Sequence, residues 1–455
     1  MMENKPRPSL LSFSGVCVDY THDGQGIVKN NGKPVFVYGL LLGEEAEIQL
    51  TYEKSDYGFG KIVKITKISP DRIQPLCPVA TACGGCCFQN LRYPAQLAFK
   101  KHKIEEAFKR IGGMIIVVDE PVGMDNPYYY RNKTQMPLAK DRQGKIISGF
   151  YKAKSHDIVP IDKCYIENKN ASHILTTIKK LMKEIRVEPY DEDARTGVLR
   201  HILIRASYYK PEIMVVLVTN VDSFPGRNNF CKELHKECPE ITTIVQNINT
   251  RDTNVILGEK EYTLMGKGFI VDTLCGITFQ ISSRSFYQIN PTQTEKLYGL
   301  AIEKAELKGI ERVLDAYCGI GTIGLVASKH VKSVVGVEVV QEAISDAKKN
   351  ARNNGITNAT FVTADASDFV AELAKNHEHF DVVFLDPPRS GAEEKFLSNV
   401  LTLAPAKIVY VSCDSATLAR DVKFLSTKYD VKSVTPVDMF PQTSHIEIVT
   451  LLTLK

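Results

Sequence analysis

From Ile310 to the end of the chain, short apolar runs alternate with helix-length amphipathic segments. The runs are Arg312-Val313-Leu314, Val334-Val335-Gly336-Val337, Thr360-Phe361-Val362, Val382-Val383-Phe384-Leu385 and Ile408-Val409-Tyr410-Val411. Strands that are apolar along their length are buried on both faces, and strands joined through helices run parallel. The pattern specifies an α/β unit on a doubly wound, mostly parallel sheet. Ligands of such sheets bind in the crevice outside the carboxyl ends of the strands. Residues just after each run are therefore the candidates for chemistry.

The first run leads into Asp315-Ala316-Tyr317-Cys318-Gly319-Ile320-Gly321-Thr322-Ile323-Gly324, which opens a helix. Glycine lets the backbone turn tightly and approach a ligand closely. A G-x-G alone fits a dinucleotide site as well. The acids shift the balance. Glu338, about twenty residues on, is placed to accept from both ribose hydroxyls. Asp365, after the third strand, is placed to reach an adenine edge. With Asp315 they end three successive strands at one crevice. Such a site suits S-adenosylmethionine, which is cationic at sulfur and carries no phosphate, better than NAD.

Asp386-Pro387-Pro388-Arg389 ends the fourth strand and Ser412-Cys413-Asp414 the fifth. Two prolines stiffen the first turn and remove backbone donors, holding Asp386 toward the crevice. A thiol beside a methyl-donor site suggests pyrimidine chemistry. Carbon 5 of uracil is a poor nucleophile until a thiolate adds to carbon 6. After methyl transfer a base must remove the carbon 5 proton so that the thiol can depart. A free thiol titrates near ~8.5, so the local field must favour thiolate. Glu447, just inside a final strand at Ile446 to Leu452, is the candidate base. If that strand runs antiparallel, Asp386, Cys413 and Glu447 converge.

Upstream, Pro8 to Ile68 carries short β-type runs punctuated by Gly24, Gly26, Gly32, Gly39, Gly43, Gly58 and Gly60. This fits a small five-stranded barrel of the OB type. Lys29, Lys33, Tyr52, Lys54, Tyr57, Phe59 and Lys61 could form an RNA-binding face; a structural module with a solvated basic edge is the other reading. Cys77, Cys83 and Cys86 read C-x5-C-x2-C, with Cys164 far downstream. That spacing leaves zinc and a [4Fe–4S] cluster both open. Cys87 competes as a ligand, but adjacent cysteines point apart. The middle region mixes strands, such as Ile202 to Arg205 and Ile213 to Val218, with helices. Within it, Tyr128 to Lys133 suits either RNA contact or a satisfied surface strand.

The net charge is only +4, from 57 basic and 53 acidic residues, so charge neither demands nor excludes nucleic acid. Eleven cysteines with no apolar leader fit a reducing compartment and metal or catalytic use. No apolar stretch is long enough to span a membrane. A cytoplasmic monomer without membrane contact is expected.

Together the ordered motifs, with Phe286-Tyr287-Gln288-Ile289-Asn290 before them and Phe440-Pro441-Gln442-Thr443, His445 and Glu447 after them, resemble the RNA uracil-C5 methyltransferases. The branch resembled has an N-terminal TRAM domain and an iron–sulfur cluster, and the match covers nearly the whole chain. It implies a TRAM barrel at 8–68 that binds RNA, a central α+β domain at 75–285 and a Rossmann-like, class I methyltransferase domain at 286–455. It implies Cys413 as nucleophile, Glu447 as proton acceptor and Asp386 near the target base. Gln288, Tyr317, Glu338, Asp365 and Asp386 would line the S-adenosylmethionine site. Cys77, Cys83, Cys86 and Cys164 would hold a [4Fe–4S] cluster. The implied product is 5-methyluridine in 23S ribosomal RNA, with the transfer RNA T-loop as the alternative. A cytosine-C5 enzyme is disfavoured by the Ser-Cys-Asp turn. A non-catalytic RNA-binding chaperone would have no need of Cys413 and Glu447. Ser415 departs from the family's proline after Cys-Asp, which loosens the turn beside Cys413.

Overall fold

The computed structural model describes residues 12–152, 155 and 157–455; the first four residues of the expected barrel segment, 8–11, lie outside them. Strands β1 (Ser12–Tyr20), β2 (Gly26–Asn30), β3 (Lys33–Val37), β4 (Glu45–Glu53) and β5 (Gly58–Lys67) close into a barrel ordered β1-β2-β3-β5-β4. Period-two alternation sends Val28, Val35, Val37, Ala46, Ile48 and Leu50 inward, where they meet across a small radius. Gly60 is required there: a Cβ would sit 2.5 Å from Ile48. The rings of Phe36, Tyr52, Tyr57 and Phe59 cluster on the barrel wall.

The barrel docks through its side on the segment that follows. Tyr20 packs edge-on against Phe88 and Phe99, and Tyr38 Oη donates to the Cys86 carbonyl at 3.1 Å. Helix α1 (Tyr93–Ala107) then buries Gln96, Phe99, Lys100 and Ile104 on one face.

The central region is a seven-stranded sheet ordered β12-β11-β10-β9-β6-β7-β8. Its strands are β6 (Lys133–Lys140), β7 (Ile146–Tyr151), β8 (Ile158–Pro160), β9 (Leu199–Ala206), β10 (Ile213–Thr219), β11 (Ile241–Ile248) and β12 (Lys260–Met265). Helices α2 (Ala171–Ile185) and α3 (Arg227–Glu237) cover one face, packing Ile178, Met182, Phe230 and Leu234 against Ile202, Val215 and Leu217. The other face, with Leu203, Met214, Val216 and Val218, belongs to the same core as the C-terminal sheet. Burial on both sides explains why every residue of β10 is apolar but the last. A short hairpin, β13 (Ile270–Leu274) and β14 (Ile277–Ile281), joins this region to α4 (Pro291–Ala305).

The C-terminal sheet is the doubly wound one, ordered β17-β16-β15-β18-β19-β21-β20. Strands β15 (Arg312–Ala316), β16 (Ser333–Glu338), β17 (Ala359–Thr363), β18 (Val382–Leu385) and β19 (Lys407–Ser412) are parallel. Helices α5 (Thr322–Ala327), α6 (Gln341–Asn353), α7 (Ala366–Lys375), α8 (Glu394–Leu403) and α9 (Ser415–Leu425) make the crossovers. Then β20 (Tyr429–Val437) takes the edge and β21 (Glu447–Leu454) inserts between β19 and β20, antiparallel to both. Val122 bridges to Val437, and backbone bonds from Asp119 and Val122 cover the outer side of β20, so that edge is not left open. Among the described residues no helix is long and apolar enough to cross a membrane.

The turn from β20 to β21 is fastened to α1. Lys100 Nζ lies 2.6 Å from Asp438 Oδ1, both side chains fully buried, and it also donates to the Phe440 carbonyl. Tyr93 Oη donates to the other Asp438 oxygen at 2.9 Å. Gln96 exchanges two hydrogen bonds with Gln442, whose carbonyl accepts from the amides of Cys87 and Phe88. Removing one partner of a buried ion pair strands the other charge. Lys100→Met should therefore cost about 3–5 kcal/mol in urea unfolding. Pairing it with Asp438→Leu should recover part of that loss. A Lys100→Met protein as stable as wild type would contradict the assigned role.

Candidate active site

The insertion of β21 assembles the site. Ser412 pairs with Ile448, so Cys413, one residue past β19, lies across from Glu447, the first residue of β21. Asp386 stands one residue past the neighbouring strand β18, where Leu385 pairs with Tyr410. The three residues expected to converge do so at the carboxyl edge of adjacent strands. Asp414 caps α9, accepting from the amides of Ala416 and Thr417 at 2.9 Å each. Ser412 Oγ donates to the Asp414 carbonyl. Ser415 is the first residue of α9, a position where proline is tolerated but not needed. The turn expected to be looser is thus held by side-chain bonds.

Charge is crowded here. Burial pushes the Glu447 carboxyl well above its ordinary range, Asp386 adds to the shift and Arg389 opposes it. Burial pushes Asp386 up to about 7. The half-buried Cys413 thiol is pushed up to about 11, first by burial and then by Glu447, again opposed by Arg389. Arg389 is the member that sequence reasoning left without a role. Its signal was its position directly after the stiff Pro387-Pro388 turn. Burial holds His445 down at about 4, with Arg389, Lys103 and Lys100 adding to the effect, so this imidazole is neutral.

On the cofactor side, the glycine loop closes over Glu338. Its two carboxylate oxygens accept from the amides of Gly319 at 3.2 Å and Val340 at 3.0 Å. Tyr317 takes a left-handed backbone (φ 64°), and its ring packs 5.3 Å from Phe396. Gly321, at φ 80°, has no room for a Cβ, which would sit 2.8 Å from Phe361. Asp315, expected with Glu338 and Asp365 at the crevice, bonds to the glycine loop instead. It is buried, one oxygen accepts from the Gly324 amide at 2.8 Å, and the other has no hydrogen-bond partner among the described residues. Burial raises it to about 7, with Asp386 and Glu338 close enough to add to the shift. Asp365 is exposed and caps α7, accepting from the Asp368 amide at 3.0 Å. Gln288 is buried, and its carbonyl accepts from Asn132 Nδ2 at 2.9 Å.

The cysteine segment differs from the expected ready ligand set. Among the described residues no group of three or more His, Cys, Asp or Glu side chains is arranged to hold a metal ion. The thiols are nonetheless gathered. Cys77, Cys83 and Cys86 are buried, and Cys86 packs with Cys164 around Tyr130 and Ile166. Burial pushes the Cys86 thiol up to about 12, with Cys83, Cys87 and Cys77 near enough to add to it. Protonated thiols pack as small apolar groups, and ligation requires their deprotonation. Cys87 faces Ser444 and Lys100 instead. A separate cavity of 1310 Å³ opens between β6, β9 and residues 186–198 and 252–256, and none of the expected site residues lines it.

A family model described as tRNA (Uracil-5-)-methyltransferase matches residues 92–455. An uncharacterized RNA methyltransferase of Listeria innocua is 45% identical, over 96% of this chain and 96% of the relative. One of Staphylococcus aureus is 43% identical, over 97% and 98%. The crystal structure of Pyrococcus abyssi tRNA (uracil-54, C5)-methyltransferase with S-adenosyl-L-homocysteine is 28% identical. It covers 97% of this chain and 99% of that one, with a TM-score of 0.78.

A thiol titrating near 11 reacts through a thiolate fraction that grows with each pH unit. Iodoacetamide labelling of Cys413, followed on its own peptide by mass spectrometry, should rise about tenfold per unit between about pH 7 and about pH 10. Arg389→Gln should slow it further at every pH. A plateau near about 8.5, as for a free thiol, would contradict the electrostatics.

Proposed function

Since the chain belongs to the tRNA (uracil-5-)-methyltransferase family and is an S-adenosylmethionine-dependent RNA (uracil-5-)-methyltransferase, we propose that Cys413 is its nucleophile, Glu447 its proton acceptor and 23S ribosomal RNA its substrate. The observation that carries the catalytic assignment is the meeting of Asp386, Cys413 and Glu447 across β18, β19 and β21.

Once its thiol proton has passed to solvent, the Cys413 thiolate bonds through Sγ to carbon 6 of the uracil, and the ring's double-bond electrons move toward carbon 5 and oxygen 4. Arg389 favours the thiolate this step needs. S-adenosylmethionine, when bound, supplies the methyl group that carbon 5 takes. Glu447 then accepts the carbon 5 proton. That electron pair restores the double bond and expels the Cys413 thiolate. Burial and Asp386 raise the proton affinity of Glu447, which suits it to accept a proton from carbon. Asp386 lies beside both groups and is suited to hold the base edge.

Gln288, Tyr317, Glu338, Asp365 and Asp386 would hold the methyl donor. The unpartnered buried oxygen of Asp315 and the run of acids around the crevice suit a cation there. Cys77, Cys83, Cys86 and Cys164 would hold a [4Fe–4S] cluster, supported by the burial of the first three, the nearness of Cys77 and Cys83 to Cys86 and the packing of Cys164 beside Cys86. Such a cluster would staple the barrel-docking segment to the middle region. The barrel, read as a TRAM module, would contact RNA through its aromatic wall, and the protein would act as a cytoplasmic monomer. The family description and the Pyrococcus abyssi relative favour a second substrate, transfer RNA.

Anaerobically purified protein should be incubated with methyl-labelled S-adenosylmethionine and, in separate tubes, unmodified 23S ribosomal RNA and transfer RNA. Nucleoside analysis should find label in 5-methyluridine from the ribosomal RNA, and none with Cys413→Ala. Iron and acid-labile sulfide on the same preparation should both be present and be lost in Cys83→Ala. Label only from transfer RNA overturns the substrate. Turnover by Cys413→Ala overturns the covalent route.

A further inference from the structure

Between the cysteine segment and β6, Tyr129 adopts a left-handed backbone (φ 55°), an uncommon state for a bulky residue. Pairing with a distant segment holds it there. Its amide donates to the Tyr165 carbonyl, the Arg131 amide to the Ile166 carbonyl and the Asn168 amide to the Arg131 carbonyl, each at 2.9 Å. The rings of Tyr129 and Tyr165 are thereby set 6.1 Å apart. Two ammonium groups lie over them. Lys163 Nζ is 5.9 Å from the Tyr129 centroid and 5.1 Å from that of Tyr165, and Lys169 Nζ is 5.5 Å from Tyr129. Both lysines are exposed, and neither is in an ion pair with a described residue. The neighbouring acids sit elsewhere: Asp162 reaches toward Lys179 at 3.9 Å, and Glu167 is buried, facing Arg131.

This patch shares a frame with the candidate active site. The next residue, Tyr130, turns inward and donates to the Pro441 carbonyl at 3.0 Å, in the turn that leads to Glu447. Two residues further, Asn132 holds the Gln288 carbonyl. A flexible lysine presents its charge anywhere on its stem. Seated on a ring it presents that charge at a fixed point.

We propose that Lys163 and Lys169, seated on the Tyr129 and Tyr165 rings, clamp the phosphate backbone of the RNA strand that delivers its uridine to Cys413. The rings serve as seats for the cations, because the ammonium groups already lie over their faces. The inference rests on the reading of Cys413 as the point of delivery. Its partner class is the nucleic acid on which the family acts.

The test is binding of fluorescein-labelled, unmodified 23S ribosomal RNA at several salt concentrations, by anisotropy. Each phosphate contact adds about 0.7–0.9 to the slope of log affinity against log salt. K163Q/K169Q should flatten that slope by about 1.5 and raise KM, with kcat at saturating RNA unchanged. Y129L/Y165L, which keeps both charges but removes their seats, should weaken binding while holding the slope near the wild-type value. A K163Q/K169Q protein with wild-type slope and affinity would overturn the proposal and leave the patch to a protein partner. Failure of the catalytic reading would show elsewhere, as absence of 5-methyluridine from wild type with the salt slope intact.

Discussion

The antiparallel insertion of β21 between β19 and β20 is the constraint on which the site depends. A parallel last strand would send its first residue to the opposite edge of the sheet. Running antiparallel, β21 starts where β18 and β19 end, so Glu447 meets Cys413 and Asp386. Reversal requires a turn that holds its shape, and the buried Lys100–Asp438 pair fastens it. The pair sits at the base of a network in which Gln96, Tyr93 and Tyr130 each hold a group of the turn. Segments far apart in the chain thereby fix the position of one carboxyl group.

The second consequence is electrostatic. Asp315, Glu338, Asp386 and Glu447 approach one crevice, and burial raises three of them. Those three bind protons more tightly than free carboxyls until a cation joins them. A sulfonium cofactor is such a cation, and Arg389 is one the chain supplies itself. In the free protein the same field keeps the Cys413 thiol protonated, which protects it from adventitious oxidation.

Much of this was legible from the amino acids. Periodicity from Ile310 specified the parallel sheet, because each run is buried on both faces, and glycine spacing before Ile68 specified the barrel. Cys413 and Asp386 stood out because strand ends mark ligand crevices. Other parts were not legible, for physical reasons. Lys100 lies on a buried helix face because its partner Asp438 is 338 residues away, and no local pattern announces such a pair. Asp315 reads as one of three strand-end acids at the crevice, yet its carboxylate serves the glycine loop. Cys77, Cys83, Cys86 and Cys164 are brought near one another without single-ion geometry, a distinction that spacing along the chain does not carry. The Tyr129–Tyr165 seat depends on backbone pairing between two loops, which sequence left as either RNA contact or surface strand.

The covalent route is tested most directly by stopping it after the adduct forms. Glu447→Gln keeps the shape of the side chain but cannot accept the carbon 5 proton, so the thiol cannot leave. Incubated with S-adenosylmethionine and unmodified RNA, then nuclease-digested and analysed by intact and peptide mass spectrometry, this variant should carry a methylated uridine nucleotide on Cys413. An unmodified Cys413 peptide, in a variant that still binds RNA, would contradict the account.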